Sequence, residues 1–277
     1  MTNVSNITEE AIASLAACGD PRLREIVESL VRHLHAFVTE VELTPDEWLA
    51  GIQFLTATGQ KSDDVRQEFI LLSDTFGVTS LVDDVANRAR AGSTESSVLG
   101  PFYTEHPPEV GRGESIASPG KGVPLVVHGH VRDTAGAPIA DAVMDVWGTD
   151  GAGLYDTQYA GRAVDCRGRV RTAADGSFDF RAVVPLSYAV PTDGPVGPLL
   201  HRLGRHPFRP AHLHFRIGAP GYRTLTTAIY AAGDPYLDSD AVFGVRASLI
   251  EDFRPAAAPD GSQFASLSRD FILVAAS

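Results

Sequence analysis

Two segments of this 277-residue chain carry His-x-His: His128-Gly129-His130 and His212-Leu213-His214. On a β-strand, residues i and i+2 project from one face, so either pair is able to present two imidazoles to one metal ion. Such a pair also fits the polar side of a half-buried strand. Both pairs alternate with apolar neighbours, so periodicity does not separate them. Context does. His212 and His214 follow Arg205-His206-Pro207-Phe208-Arg209-Pro210-Ala211, where Pro210 stiffens the entry to a strand and restricts Arg209 before it. A permanent cation at that place suits an anionic substrate, or one on which charge develops. His128 and His130 lack such a neighbour and are read as structural, and His212 and His214 as metal ligands.

The remaining ligands stay open at this level. A zinc site wants another His, Cys or carboxylate, and nearby aspartates are able to supply one. There are also seven tyrosines. A tyrosine ligates only after losing a proton whose pKa lies near 10, and a hard trivalent cation such as Fe(III) stabilises the phenolate. Spacing singles out none of the seven.

The elements that must position these residues have two different periods. From Leu23, the residues Ile26, Val27, Leu30, Val31, Leu34, Phe37, Val38 and Val41 follow the i, i+3, i+4, i+7 pattern of one long amphipathic helix. Thr44, Pro45 and Glu47 form a capping box that starts a second helix, with Gly59 as its expected stop. Ser62 is a good cap for a third helix through Phe69 and Leu72, and a shorter one is expected over 78–88. From Gly92 to Lys121 the chain reads as a long irregular connection. Beyond it, alternation with period two takes over: Leu125, Val127 and Val131 against His128, His130 and Arg132, then Ala142, Met144 and Val146. Turn signals recur at 133–138, 174–176 and 219–221. The expected fold is α+β, an N-terminal helical segment over 1–100 followed by an antiparallel β-sandwich catalytic domain over 101–277. No repeated βα pattern or Gly-rich phosphate loop supports a dinucleotide fold.

Composition narrows the function. Lys plus Arg is 23 and Asp plus Glu is 35, a formal charge of −12, which argues against binding nucleic acid or an anionic membrane. Two distant cysteines, Cys18 and Cys166, make neither a disulfide framework nor a Cys-based zinc site. No apolar run approaches the roughly 18 residues of a membrane span. No signal peptide is visible at the start, and the expected location is the cytoplasm.

Several strings stand in order: Asp145-Val146-Trp147, Gly153-Leu154-Tyr155, Arg171-Thr172, Val184-Pro185, Arg209-Pro210-Ala211-His212-Leu213-His214-Phe215 and Gly233-Asp234-Pro235-Tyr236-Leu237. In these the chain resembles the intradiol ring-cleavage dioxygenases of the catechol and hydroxyquinol 1,2-dioxygenase group. The resemblance covers nearly the whole chain, and the Arg-Pro-Ala-His-x-His-Phe string is highly specific. It implies one non-haem Fe(III) per chain, held by Tyr155, Tyr188, His212 and His214. Tyr188 would leave as substrate binds, and Arg209 would stabilise negative charge on the ring during oxygen attack. The substrates implied are a small aromatic diol or triol and O2. The resemblance leaves Tyr103, Tyr159, Tyr222, Tyr230 and Tyr236 as packing or surface residues.

The segments 191–197, 206–208 and 236–245 are similar to the hydroxyquinol branch. That similarity suggests a substrate pocket of Leu81, Asp84, Val98, Leu99, Gly100, Val190, Pro191, Arg209 and Val242, with Asp84 receiving the third hydroxyl of 1,2,4-trihydroxybenzene. One departure is Ala228, where many family members carry Gln or His. The alternatives are a catechol 1,2-dioxygenase giving cis,cis-muconate, a zinc hydrolase using His212 and His214, and a sandwich that binds a small aromatic without chemistry. The resemblance also implies a homodimer through the N-terminal helices, with no nucleic-acid partner and no membrane insertion.

Overall fold

The computed structural model describes residues 6–63, 66–87, 92–161, 163–257 and 261–276. Five helices come first among them. α1 (Ile7–Ala13) precedes the expected long helix, α2 (Pro21–Glu40), whose start is capped by Asp20 accepting the amides of Arg22 and Leu23 at 2.9 and 3.0 Å. α3 (Pro45–Lys61) has the expected capping box: the Thr44 amide donates to Glu47 Oε2 at 2.9 Å and the Glu47 amide to Thr44 Oγ1 at 3.3 Å.

Gly59 does not stop α3, which runs on to Lys61 and closes where the Ser62 amide meets the Gly59 carbonyl at 3.1 Å. A glycine inside a helix weakens it without ending it when the next residues still supply good hydrogen bonds. α4 (Glu68–Thr75) begins later than expected, although its first amide does donate to Ser62 Oγ at 3.1 Å. α5 spans Val78–Asn87, and position 88 lies outside the described residues. The chain forms two compact units, Met1–Ala57 and Thr58–Ser277.

The irregular connection expected after Gly92 is present, since the first strand, β1, is Pro124–Asp133. The second unit contains two five-stranded sheets. In one, β1 pairs with β4 (Ser177–Val183), β11 (Gln263–Ser268) and β12 (Phe271–Leu273), and β11 with β10 (Arg254–Ala257). The other has the order β3 (Arg167–Arg171), β2 (Val143–Gly148), β7 (His212–Gly218), β8 (Leu225–Ala231), β9 (Ile250–Glu251). A small ribbon joins β5 (Tyr188–Ala189) to β6 (Phe208–Arg209), and α6 (Val196–Arg202) lies between them in sequence.

The sandwich is mixed rather than purely antiparallel. β1 runs parallel to β11 and β12, and β8 parallel to β9. A tight turn imposes antiparallel pairing only on strands it joins, and the C-terminal strands reach β1 from far along the chain.

Alternation decides which side of each strand meets the core. Leu125, Val127, Phe178, Phe180, Leu267 and Phe271 from one sheet pack with Met144, Val146, Phe215, Ile217 and Ile229 from the other. The Phe215 ring stands 4.8 Å from Phe271 and 6.5 Å from Phe180, centroid to centroid. Each such side chain contributes roughly 1.5–3 kcal/mol on full burial. His128 is exposed and His130 half-buried on the opposite side of β1, where His130 Nδ1 lies 3.4 Å from Asp270. On β7 the same alternation sends Leu213 and Phe215 into the core and His212 and His214 to the other face. There Arg167, Trp147, His214 and Ala228 stand in one cross-strand row, and His212 pairs with Tyr230. Among the described residues, no helix is long and apolar enough to cross a membrane.

Candidate active site

Four elements bring the two tyrosines and two histidines together. β7 presents both imidazoles, and β5 places Tyr188 in register with Arg209 of β6. Tyr155 opens a short 3-10 turn, Asp156–Gln158, where its amide donates to Gln158 Oε1 at 2.9 Å. All four side chains are buried. The Nε2 atoms of His212 and His214 are 2.9 Å apart, and Tyr155 Oη is 3.5 Å from His212 Nε2. Arg209 Nη1 lies 3.4 Å from Tyr188 Oη and 3.2 Å from His212 Nε2. Trp147 stacks on the His214 ring at 4.7 Å and 3°, and Gly100 lies close to the Cε1–Nε2 edge of that ring. With φ +74°, Gly100 takes a left-handed conformation, and a Cβ there would stand 3.7 Å from His214 Cε1.

The donor set fits a hard metal cation. His212 Nδ1 donates to the Pro210 carbonyl at 2.6 Å, which leaves the lone pair on Nε2, facing His214. Burial, then the Arg209 charge, lowers His212 to about 3. Burial, then His212 and Arg209, holds His214 well below the usual histidine range, so both imidazoles are neutral. Burial, then the Tyr188 hydroxyl, pushes the Tyr155 phenol far up. These groups form a buried cluster of neutral donors, and among the described residues His214 Nδ1 has no hydrogen-bond partner. A trivalent ion among them would favour the Tyr155 phenolate that burial disfavours. Among the described residues no group of three or more His, Cys, Asp and Glu side chains is placed to hold a metal. The oxygens beside His212 and His214 are phenolic, unlike those of the zinc alternative.

Arg209 is almost fully buried and held on two sides. Asp240 accepts from its Nε at 3.1 Å and its Nη2 at 3.3 Å, and Tyr230 Oη lies 3.2 Å from Nη2. Tyr230, expected to be a packing residue, thus belongs to the site, and Ser97 Oγ is 2.9 Å beyond it. Burial would raise the Asp240 carboxyl, but Arg209 outweighs it and keeps the group low. Asp240 was not singled out in the sequence. A buried arginine demands a carboxylate, but several aspartates lie downstream and spacing does not choose among them.

Beside the cluster lies a narrow cavity of about 10 Å³, room for roughly one water. Of the expected pocket residues it is lined by Val98, Gly100, Val190, Pro191, Arg209 and Val242, together with Tyr188. Leu81, Asp84 and Leu99 do not line it. Leu81 is 60% exposed, and Asp84 points outward to an ion pair with Arg246 at 2.7 Å. On α5 the inward residue is Ser80, whose hydroxyl donates to the Val242 carbonyl at 2.9 Å, and this turns positions 81 and 84 away. The places expected for them are taken by Leu71 and Asp74 of α4. The sequence holds two Leu-x-x-Asp spacings ten residues apart, and only burial tells them apart. Burial raises the Asp74 carboxyl, while the Thr79 hydroxyl pulls the other way. Pro101 and Phe102 complete the wall.

Comparison with known proteins points one way. The family profile described as "Dioxygenase" matches residues 98–275, and "Catechol dioxygenase N terminus" matches residues 20–94. The chain is 51% identical to the 6-chlorohydroxyquinol 1,2-dioxygenase of Cupriavidus pinatubonensis, over 90% of each chain. It is 45% identical to the hydroxyquinol 1,2-dioxygenase of a Rhizobium species, over 96% of this chain and 93% of that one. The crystal structure of hydroxyquinol 1,2-dioxygenase from Pseudomonas putida superposes with a TM-score of 0.90 at 48% identity, covering 98% of each chain.

Proposed function

The chain belongs to the intradiol ring-cleavage dioxygenase family, and we propose from this premise that it cleaves hydroxyquinol (1,2,4-trihydroxybenzene). Both atoms of O2 enter the product, 3-hydroxy-cis,cis-muconate or its tautomer maleylacetate. One observation carries the chemistry: two phenols and two imidazole Nε2 atoms converge beside a buried arginine, next to a narrow, mostly apolar cavity. Tyr155, Tyr188, His212 and His214 would hold one ferric ion. That ion, when bound, supplies Lewis-acid chemistry that draws electron density from a chelating diolate, so that the ring reacts with O2.

The chain's own residues do the rest. The walls formed by Leu71, Val98, Pro101, Phe102, Val190 and Pro191 part to admit the ring and limit its contact with water. Tyr188, which lines this cavity, would as the phenolate take up one proton of the diol at Oη, and the other leaves to solvent. Arg209, fixed by Asp240 and Tyr230, presents Nη1 to the same place and stabilises the negative charge growing on the ring. Asp74 is the cavity's carboxylate outside the Arg209 pair, and it accepts a hydrogen bond from the third hydroxyl. The names of the similar proteins support hydroxyquinol over catechol.

Residues 1–100 then serve pairing and also lend Leu71, Asp74, Val98 and Gly100 to the cavity, while 101–277 supply the four metal ligands and Arg209. The homodimer reading is supported by α2, whose Leu23, Ile26, Leu30, Leu34 and Phe37 form one apolar stripe about half exposed, continued by Val41 just past its end. The cytoplasmic reading rests on the free thiols of Cys18 and Cys166.

The test is a visible spectrum of the iron-loaded protein before and after anaerobic addition of hydroxyquinol or catechol. A tyrosinate-to-iron band that shifts with the diol, and faster turnover of hydroxyquinol once oxygen is admitted, is the expected result. A colourless, inactive protein after iron loading would refute the dioxygenase mechanism. Preference for catechol would reassign the substrate alone.

A further inference from the structure

The face of β3 and β2 that carries Trp147 also carries a buried ion pair that the chemistry above does not use. Arg167 and Asp156 have side chains only 3% and 5% exposed. Arg167 Nε donates to Asp156 Oδ2 at 2.6 Å, and Nη2 pairs with Oδ1. The remaining donors reach a different segment: Nη1 lies 2.8 Å from Thr104 Oγ1 and Nη2 lies 3.0 Å from the Phe102 carbonyl. One guanidinium therefore ties together two stretches of chain more than fifty residues apart.

Both stretches end on Tyr155. Asp156 is its neighbour in the chain, and its carboxylate also accepts the amides of Thr157 at 2.8 Å and Asp165 at 3.2 Å. Phe102 lays its ring on the Tyr155 ring at 4.4 Å and 21°, and meets Tyr188 edge-on at 6.0 Å. The backbone and one ring face of Tyr155 thus share one anchor. A buried ion pair is a poor way to gain stability, because desolvation offsets much of the attraction. What it supplies is direction, since the planar fork holds a carboxylate and a carbonyl at fixed angles, which a lysine ammonium does not.

We propose that the Arg167–Asp156 pair is a positioning device for the tyrosine ligand: it sets the ring plane of Tyr155, from below through the chain and from above through Phe102. This rests on the reading of Tyr155 as an iron ligand. Neither residue touches substrate, and neither is a catalytic residue.

The test uses the full chain, loaded with ferric iron, as wild type and as Arg167→Lys, Asp156→Asn and Phe102→Leu. The readouts are the tyrosinate-to-iron absorption band, loss of iron to a competing chelator, and kcat and KM for hydroxyquinol. Arg167→Lys keeps the charge and loses the fork; it and Asp156→Asn are expected to shift the band and weaken iron binding about 10–100-fold. A tilted ligand is expected to lower kcat about 100-fold while KM changes little. Phe102→Leu, which leaves the ion pair intact, is expected to shift the same band. Should Arg167→Lys fail to fold, Asp156→Asn and Phe102→Leu decide the matter. Variants that lose thermal stability but keep the wild-type band and iron affinity overturn the proposal and leave the iron reading standing. A wild-type protein with no band after loading overturns both.

Discussion

Replacing Asp240 by asparagine tests how Arg209 is held. Both side chains are 2% exposed. Each carboxylate oxygen accepts one guanidinium and one backbone donor: Oδ1 takes Arg209 Nε at 3.1 Å and the Val242 amide at 3.2 Å, and Oδ2 takes Arg209 Nη2 at 3.3 Å and the Gly244 amide at 2.9 Å. Whichever way the new amide is turned, its NH2 faces two donors. Two hydrogen bonds are lost and a buried guanidinium loses its counter-charge, at a cost of about 3–5 kcal/mol. At roughly 2–4 °C per kcal/mol for a unit of this size, Tm falls by about 10 °C. Arg209 loses its fixed orientation, so kcat for hydroxyquinol is expected to fall about 100-fold.

The acid limb gives an independent check. Burial raises the Asp240 carboxyl, but Arg209 outweighs it and holds the group below the usual range. A folded-state pKa below the unfolded value contributes stability that is present above the unfolded value. That contribution is lost as pH falls through the folded one. The gap in Tm between wild type and variant should therefore narrow below about pH 4. Thermal melts across pH and oxygen-uptake kinetics measure all three effects. A double variant, Arg209→Met with Asp240→Leu, should recover stability without activity, because a well-packed apolar pair replaces a buried ion pair at little cost. A single Asp240→Asn protein with the wild-type Tm and kcat would refute the reasoning.

Asp74→Ala should lower kcat/KM for hydroxyquinol relative to catechol by about 10–100-fold, the effect of leaving one buried hydroxyl unpaired; an unchanged ratio in competition assays would remove Asp74 from substrate choice. Tyr230→Phe removes the second support of Arg209 and should reduce kcat about tenfold while iron content stays at the wild-type level. Leu81→Ala and Asp84→Ala lie outside the cavity and should leave kcat and KM within about twofold of wild type. A substrate-selective defect in either would show that α5 enters the pocket.

How much of this was legible in the sequence depends on the range of the physics involved. The capping box at Thr44 and Glu47 and the apolar stripe of α2 were legible because each rests on atoms a few residues apart. So was the alternation that turns His212 and His214 away from the core while Leu213 and Phe215 enter it. Tyr155 and Tyr188 were reached only through family resemblance, since nothing in their spacing distinguishes them from five other tyrosines. Tertiary structure alone decided that Leu71 and Asp74 face the cavity while the identically spaced Leu81 and Asp84 face solvent. It alone made Asp240 and Tyr230 the partners of Arg209, and ran β11 and β12 parallel to β1. Periodicity and capping are properties of neighbouring residues along the chain. The choice among equivalent neighbours is made by desolvation: a buried guanidinium must find a carboxylate, and which one it finds depends on how distant strands close over it.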